Sequence, residues 1–240
     1  MTQASRPRTP VWRAIAAALR SDLSDGRYRP GDKLPTEAAL AERFGVNRHT
    51  VRHAISTLVA DGLVRTRRGS GAFVAARPTD YPIGRRVRFH ENLLAAGRQP
   101  EKCILQIERR LAGDGEAQAL QVLRGAPVCG YHGLSLADGQ PIALFESAFP
   151  LERLPGIDVA LAETSSVTDA LSRVGVSDYT RISTRLTAVA ADVTSALHLQ
   201  LREGDPLLRS TSVNADSAGQ PVEYGRTWFA GDRVTLTLGT

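Results

Sequence analysis

The stretch NRHTVRHAI, residues 47–55, sets Arg48 and Arg52 four residues apart and His49 and His53 four apart. On a helix that spacing puts each pair one turn apart on one face. A guanidinium there can donate two hydrogen bonds to guanine O6 and N7, or clamp a phosphate. Asn47 and His49 stand at the leading end, within reach of a base or a phosphate, and Thr50 can donate to a phosphate. Two histidines at this spacing can also share a zinc ion. The stretch offers no third ligand, however, and a structural zinc takes about four. A solvated charged face is the remaining reading of the same residues.

A second basic set lies further on. Arg85, Arg86 and Arg88 precede a segment of helical periodicity, and guanidinium groups beside helix N-terminal amides form a ready anion site. Ser165 or Ser166 can cap another short helix. Arg181 and Arg185 fall four apart in a strand-like stretch, so strict alternation puts them on one face. Glu223, Tyr224 and Arg226 add polar groups to a late strand, although all three share a pocket only if a bulge intervenes. The expectation is a pocket for a small anion, against the alternative of an arginine-rich surface.

The elements that must position these residues follow from periodicity. Trp12, Ile15, Ala16, Leu19 and Leu23 recur at helical spacing over residues 10–24, and Gly26 can stop that helix. Thr36 and Glu37 open a second helix with Leu40, Ala41 and Phe44 on its apolar face; Gly45 ends it. Asn47 caps a third, whose apolar stripe is Val51, Ala54, Ile55 and Leu58. Residues 48, 49, 52, 53 and 56 are then exposed. Two helices joined by the tight turn FGVN form a helix-turn-helix, whose second helix presents its leading residues to the major groove. LVRTRRGSGAFV, residues 63–74, has the alternation and glycines of a β-hairpin. As a wing, it brings Arg67, Arg68 and Gly69 to the DNA backbone or the minor groove.

Charge follows the same division. The chain has 240 residues and a net charge of +5. Residues 1–76 hold 13 Arg and Lys against 6 Asp and Glu, a net of +7, and the rest is slightly acidic. A basic segment joined to an acidic one suggests a nucleic-acid reader attached to something else. Cys103 and Cys129 share no metal-ligand motif, and no apolar run of about 18 residues suggests a membrane span. With no secretory signal pattern at residues 1–23, a cytoplasmic protein without metal or cofactor is expected.

The run PGDKLPTEAALAERFGVNRHTVRHAISTLVADGLVRTRRGSGAFV resembles the winged helix of the GntR family of bacterial transcription regulators, a likeness spanning residues 11–75. It implies that Arg48, His49, Thr50, Arg52 and the wing around Arg68 and Gly69 contact double-stranded operator DNA. After a linker at 76–82, residues 83–240 show an α+β pattern dominated by antiparallel strands. ADGQPIALFE and DSAGQPVEYGRTWFAGDRV resemble paired motifs of the HutC subfamily's effector-binding (UTRA) domain, whose fold is like chorismate lyase. DYPIGRRVRFHENLLAAG, DYTRISTRLTA and EYGRTWFAGDRVTLTL are similar to that subfamily's phosphonate-utilisation regulators. Sugar-phosphate-sensing relatives carry an Arg-x-Arg pair where this chain has Gly133, Leu134 and Ser135.

The implied function is a homodimeric repressor released from DNA by a small phosphonate or phosphate ester. Two alternatives stand beside it: sensing of another small acid or a sugar phosphate, and a lyase-like enzyme. An enzyme needs a nucleophile or acid/base arrangement, whereas His90, His132 and His198 are scattered.

Overall fold

The computed structural model describes residues 10–67, 69, 71–75, 78–84, 88–164 and 166–238. The chain forms two compact units, the first reaching Arg77 and the second beginning at Pro78.

The first unit has three helices, α1 (Val11–Ser24), α2 (Glu37–Phe44) and α3 (Arg48–Ala60), followed by strands β1 (Val64–Arg67) and β2 (Gly71–Val74). Local chemistry sets the helix ends. The Thr36 side chain accepts from the Ala39 amide, and Gly45 closes α2 in the left-handed conformation at φ 63°. Two residues later Asn47 caps α3, its Oδ1 accepting from the Thr50 amide at 2.9 Å. The stripe Val51, Ala54, Ile55 and Leu58 is buried, packed with Ile15, Leu19 and Leu40. Arg43 of α2 donates to the buried Asp22 of α1 at 2.6 Å, which holds that carboxyl below its usual range. β1 and β2 pair as an antiparallel hairpin. The segment before α2 adds a third rung, with Leu34 N donating to Ala72 O at 2.8 Å and Val74 N to Asp32 O at 2.9 Å.

The second unit is built on a six-stranded antiparallel sheet in the order β4-β5-β6-β9-β8-β7. These strands are β4 (Pro100–Leu111), β5 (Pro127–Ala137), β6 (Gln140–Pro150), β7 (Tyr179–Ala190), β8 (Pro206–Asp216) and β9 (Pro221–Ala230). The sheet consists of two matching halves that meet where β6 pairs β9. Each half runs strand, short helix, strand, tight turn, strand: β4, α5 (Asp114–Leu120), β5, β6, and then β7, α8 (Val193–Leu199), β8, β9. Both helices end on a glutamine in the left-handed region, Gln121 and Gln200, each at φ 53°. Both hairpins turn through Gly-Gln-Pro, residues 139–141 and 219–221.

One face of the sheet is covered by α5 and α8, whose Leu120 and Leu199 reach the core. Against the other face pack α4 (Phe89–Ala95), α6 (Ile157–Glu163) and α7 (Val167–Arg173), together with a two-stranded sheet of β3 (Thr79–Pro82) and β10 (Val234–Thr237).

Two parts of this unit differ from the sequence expectation. Residues 79–82, read as linker, form β3: Thr79 N donates to Arg233 O at 2.7 Å, and Thr79 and Tyr81 are buried. The partner strand lies at the far end of the chain, and the pairing is parallel, so no local turn announces it. Helices α5 and α6 were not anticipated. Each has only seven residues and starts after a glycine, Gly113 or Gly156, so no N-cap side chain marks its beginning.

Candidate functional sites: a recognition helix and a sensor cavity

On α3, Arg48, His49, Arg52, His53 and Ser56 are exposed, opposite the buried stripe. Two of these side chains are held in place. Arg52 is clamped by Glu37 of α2, with Nε to Oε1 at 2.9 Å and Nη2 to Oε2 at 2.6 Å. The pair draws the Glu37 carboxyl below its usual range. His53 stacks on Trp12 of α1, ring centroids 4.3 Å apart and 15° from parallel. Among the described residues no group of three or more His, Cys, Asp or Glu side chains is placed to hold a metal ion. Thr50 Oγ1 hydrogen-bonds to the cap at Asn47 Oδ1, 3.0 Å away. Among the described residues, Arg48 and His49 make no hydrogen bond or ion pair. At the wing, Gly69 is exposed at φ 78°, a conformation that suits a residue without Cβ. Arg68 and the side chain of Arg67 lie outside the described residues, as do Arg85 and Arg86.

In the second unit a cavity of about 640 Å³ lies between the sheet and the α4, α7 and β3 layer. Arg88, Ser166, Arg181 and Glu223, from four separate segments, all line it. Arg88 donates to Thr168 Oγ1 at 2.8 Å and to Asp178 Oδ1 at 3.2 Å, and it lies 4.9 Å above the Tyr179 ring. The Tyr179 hydroxyl stands 3.0 Å from the same Thr168 oxygen. Ser166 caps α7 by accepting from the Asp169 amide. A row of hydrogen bonds crosses four strands of the sheet. Arg181 Nε donates to Asn214 Oδ1 at 3.3 Å, while Asn214 Nδ2 and Ser147 Oγ each donate to the buried Glu223 carboxylate at 2.6 Å. Burial pushes Tyr81, on the cavity wall, up to about 12.

Two residues expected here are elsewhere. The ladder between β7 and β8 slips between Arg181 and Ser183, so Arg181 pairs with Asn214 and Arg185 with Thr211. The extra residue, Ile182, reverses the alternation and sends Arg185 to the opposite face. Arg226 departs for the converse reason. No bulge separates it from Glu223 in β9, so alternation holds and the two point to opposite faces. Arg226 instead pairs with Glu146 across the β6–β9 ladder at 2.6 Å.

The sequence reading missed Lys102. It stands on β4 among the cavity-lining residues, directly across from Ser135 of β5. Burial draws its ammonium down to about 8, against the attraction of Glu223. A signal existed, because Lys33 and Lys102 are the only lysines in a chain that otherwise uses arginine. Ser147 and Asn214, which fix Glu223, left no such mark.

A winged helix joined to a sheet domain with a lined internal cavity defines a DNA-binding regulator that carries its own sensor. Comparison with known proteins agrees in both units. Residues 12–74 match the model of bacterial regulatory proteins of the gntR family, and residues 95–235 match the UTRA domain. The chain is 39% identical over 234 residues to an uncharacterized HTH-type transcriptional regulator of Rhizobium meliloti, covering 96% of this chain and 95% of the relative. It is 34% identical over 229 residues to the probable transcriptional regulator PhnF of Escherichia coli, covering 95% and 94%. The crystal structure of PhnF from Mycobacterium smegmatis superposes with a TM-score of 0.65 at 30% identity, covering 94% of this chain and 98% of that one. The chain belongs to the GntR family of bacterial transcription regulators, in the branch that carries a UTRA domain, and it is PhnF-like. It is a regulator that binds DNA and an effector, not an enzyme. Among the described residues no helix is long and apolar enough to cross a membrane.

Proposed function

We propose that this protein is a cytoplasmic repressor that leaves its operator when a small anion, a phosphonate or phosphate ester, occupies the UTRA cavity. Its target genes then serve the uptake or breakdown of that compound. The observation that carries this reading is the convergence of Arg88 and Arg181, 93 positions apart in the chain, on one cavity of about 640 Å³. A phosphonate oxygen can accept from either guanidinium. Ser166 adds a hydroxyl, and the Glu223 carboxylate offers acceptors for a hydroxyl or ammonium on the same ligand. Arg85 and Arg86, neighbours of Arg88 in sequence, belong to the same proposed anion site.

On the DNA side, Arg48, His49 and Arg52 read base edges or phosphates from the exposed face of α3. Asn47, Thr50 and the wing residues Arg67, Arg68 and Gly69 hold the backbone. Residues 1–75 are the DNA-reading domain in this proposal. One winged helix reads too few bases to find a single site in a genome, so the working form is a homodimer on an inverted repeat. Effector and operator exclude one another through their differential affinity for two states.

Calorimetry with a panel of phosphonates and phosphate esters, with and without operator DNA, tests the reading. Linkage requires operator to weaken effector binding by the factor that effector weakens operator binding. If no member of the panel binds the wild-type protein, the anion reading fails.

A further inference from the structure

Among the described residues, Lys102 is the one lysine or arginine lining the cavity to which the proposed function assigns no part. Its ammonium lies 5.3 Å from the ring centroid of Phe145, 5.8 Å from Tyr131 and 5.9 Å from Phe89. The floor of that aromatic cage depends on Gly133. A Cβ there would stand 2.8 Å from the Phe145 ring and 2.6 Å from Cys103 O, so a side chain at 133 would displace the ring. Arg88 is held by Thr168 and Asp178, and Arg181 by Asn214. Lys102 differs from both: among the described residues it makes no hydrogen bond or ion pair. The nearby carboxylate of Glu223 already accepts from Ser147 and Asn214. An ammonium has three N–H donors and is costly to remove from water without acceptors, and aromatic faces compensate only in part. Such a group gains most from a ligand that supplies the missing oxygens.

We propose that Lys102 seats the anionic head of the effector, with Ser135 beside it, and thereby decides which anions the sensor accepts. The inference rests on the anionic effector proposed above and adds the contact that selects it. The ligand class is a compact tetrahedral oxyanion carrying a short alkyl group. A lysine ammonium is a point charge whose three donors can meet the several oxygens of a tetrahedral phosphorus oxyanion without the fixed plane that arginine's fork imposes. The rings of Phe89 and Phe145, which line the cavity, favour a hydrocarbon chain over a polyhydroxyl one.

Isothermal titration of the full chain with methylphosphonate, inorganic phosphate and acetate tests this. Methylphosphonate binds most tightly, and Lys102→Met weakens it by about tenfold, the factor set by loss of one charge-assisted contact. The lowered ammonium pKa gives a second, independent reading. The anion takes the protonated lysine, so wild-type affinity relative to that of Lys102→Arg falls by roughly an order of magnitude between about pH 7.5 and about pH 9. The ratio isolates the lysine, because methylphosphonate loses its own second proton in the same range with both proteins, while the guanidinium of Lys102→Arg keeps its proton. That variant separates Lys102 from His90, Glu91, Asp169 and Glu223, which share the cavity. A folded Lys102→Met protein that binds methylphosphonate as wild type does overturns the role of Lys102 and leaves the anionic effector standing. If that variant does not fold, a ratio of wild-type to Lys102→Arg affinity that is unchanged across the same pH range overturns it equally. Acetate binding as tightly as methylphosphonate overturns the ligand class. Failure of both phosphorus anions to bind wild type overturns this inference and the anion reading together.

Discussion

Helix α3 and strand β7 each carry two arginines four residues apart, and the structure treats the two pairs differently. Arg48 and Arg52 share the exposed face of α3, opposite the buried stripe. Arg181 and Arg185 are divided by the sheet, one beside the cavity and the other on the far face. A helix sets its own spacing, because its hydrogen bonds run from residue i to i−4 within one segment. A strand takes its register from its neighbours, and one extra residue reverses every side chain beyond it. Four-residue spacing is therefore a strong statement about a face on α3 and a weak one on β7.

The largest test of this contrast removes what holds α3 to its face. Leu58 is fully buried in the stripe, and Leu58→Ala is expected to cost the winged helix about 2–5 kcal/mol. Denaturant unfolding followed in the two units reads this as early loss of the first while the second keeps its midpoint. Next come the exposed arginines. Arg48→Ala and Arg52→Ala are each expected to weaken operator binding by ~1–3 kcal/mol relative to random DNA, with unfolding unchanged in the first and only slightly shifted in the second, which loses its solvent-exposed pair with Glu37. Equal affinity for both DNAs in either variant would remove that residue from the interface. The β7 pair gives the converse test. Arg181→Ala should cost effector binding about 1.5–3 kcal/mol, the value of a hydrogen bond to a charged group. Arg185→Ala should stay within about 0.5 kcal/mol, as a surface change away from the site does. Equal losses from the two would mean that the bulge at Ile182 does not divide them.

The smallest effect concerns the packing of α1 on α2 that supports α3. The Arg43 guanidinium holds the buried Asp22 carboxyl below its usual range. A carboxyl lowered on folding adds stability above its unfolded pKa and loses it as pH falls through the folded one. Asp22→Asn should therefore flatten the acid limb of winged-helix stability, by less than about 1.4 kcal/mol per pH unit, the limit for one proton. Thermal melts from neutral pH downward measure it, and parallel limbs for variant and wild type would count against the pair.

Sequence alone determined the first unit almost completely, because its signals are local. The caps at Thr36 and Asn47, the stop at Gly45 and the stripe from Val51 to Leu58 each act within a few residues of where they are read. It also located most of the strands of the second unit and placed Arg88, Ser166, Arg181 and Glu223 among the candidate residues of a site. It did not reach the clamp of Glu37 on Arg52, the stack of Trp12 on His53, or the pairing of β3 with β10, which join residues far apart in the chain. Tertiary structure alone decided the membership of the cavity. It excluded Arg185 by a bulge and Arg226 by unbroken alternation, and it admitted Lys102 because β4 lies beside β5 in a register that sets it across from Ser135. The physical reason is that a strand leaves its backbone hydrogen bonds to be completed by other strands, so the face its side chains occupy is settled only when the sheet is assembled.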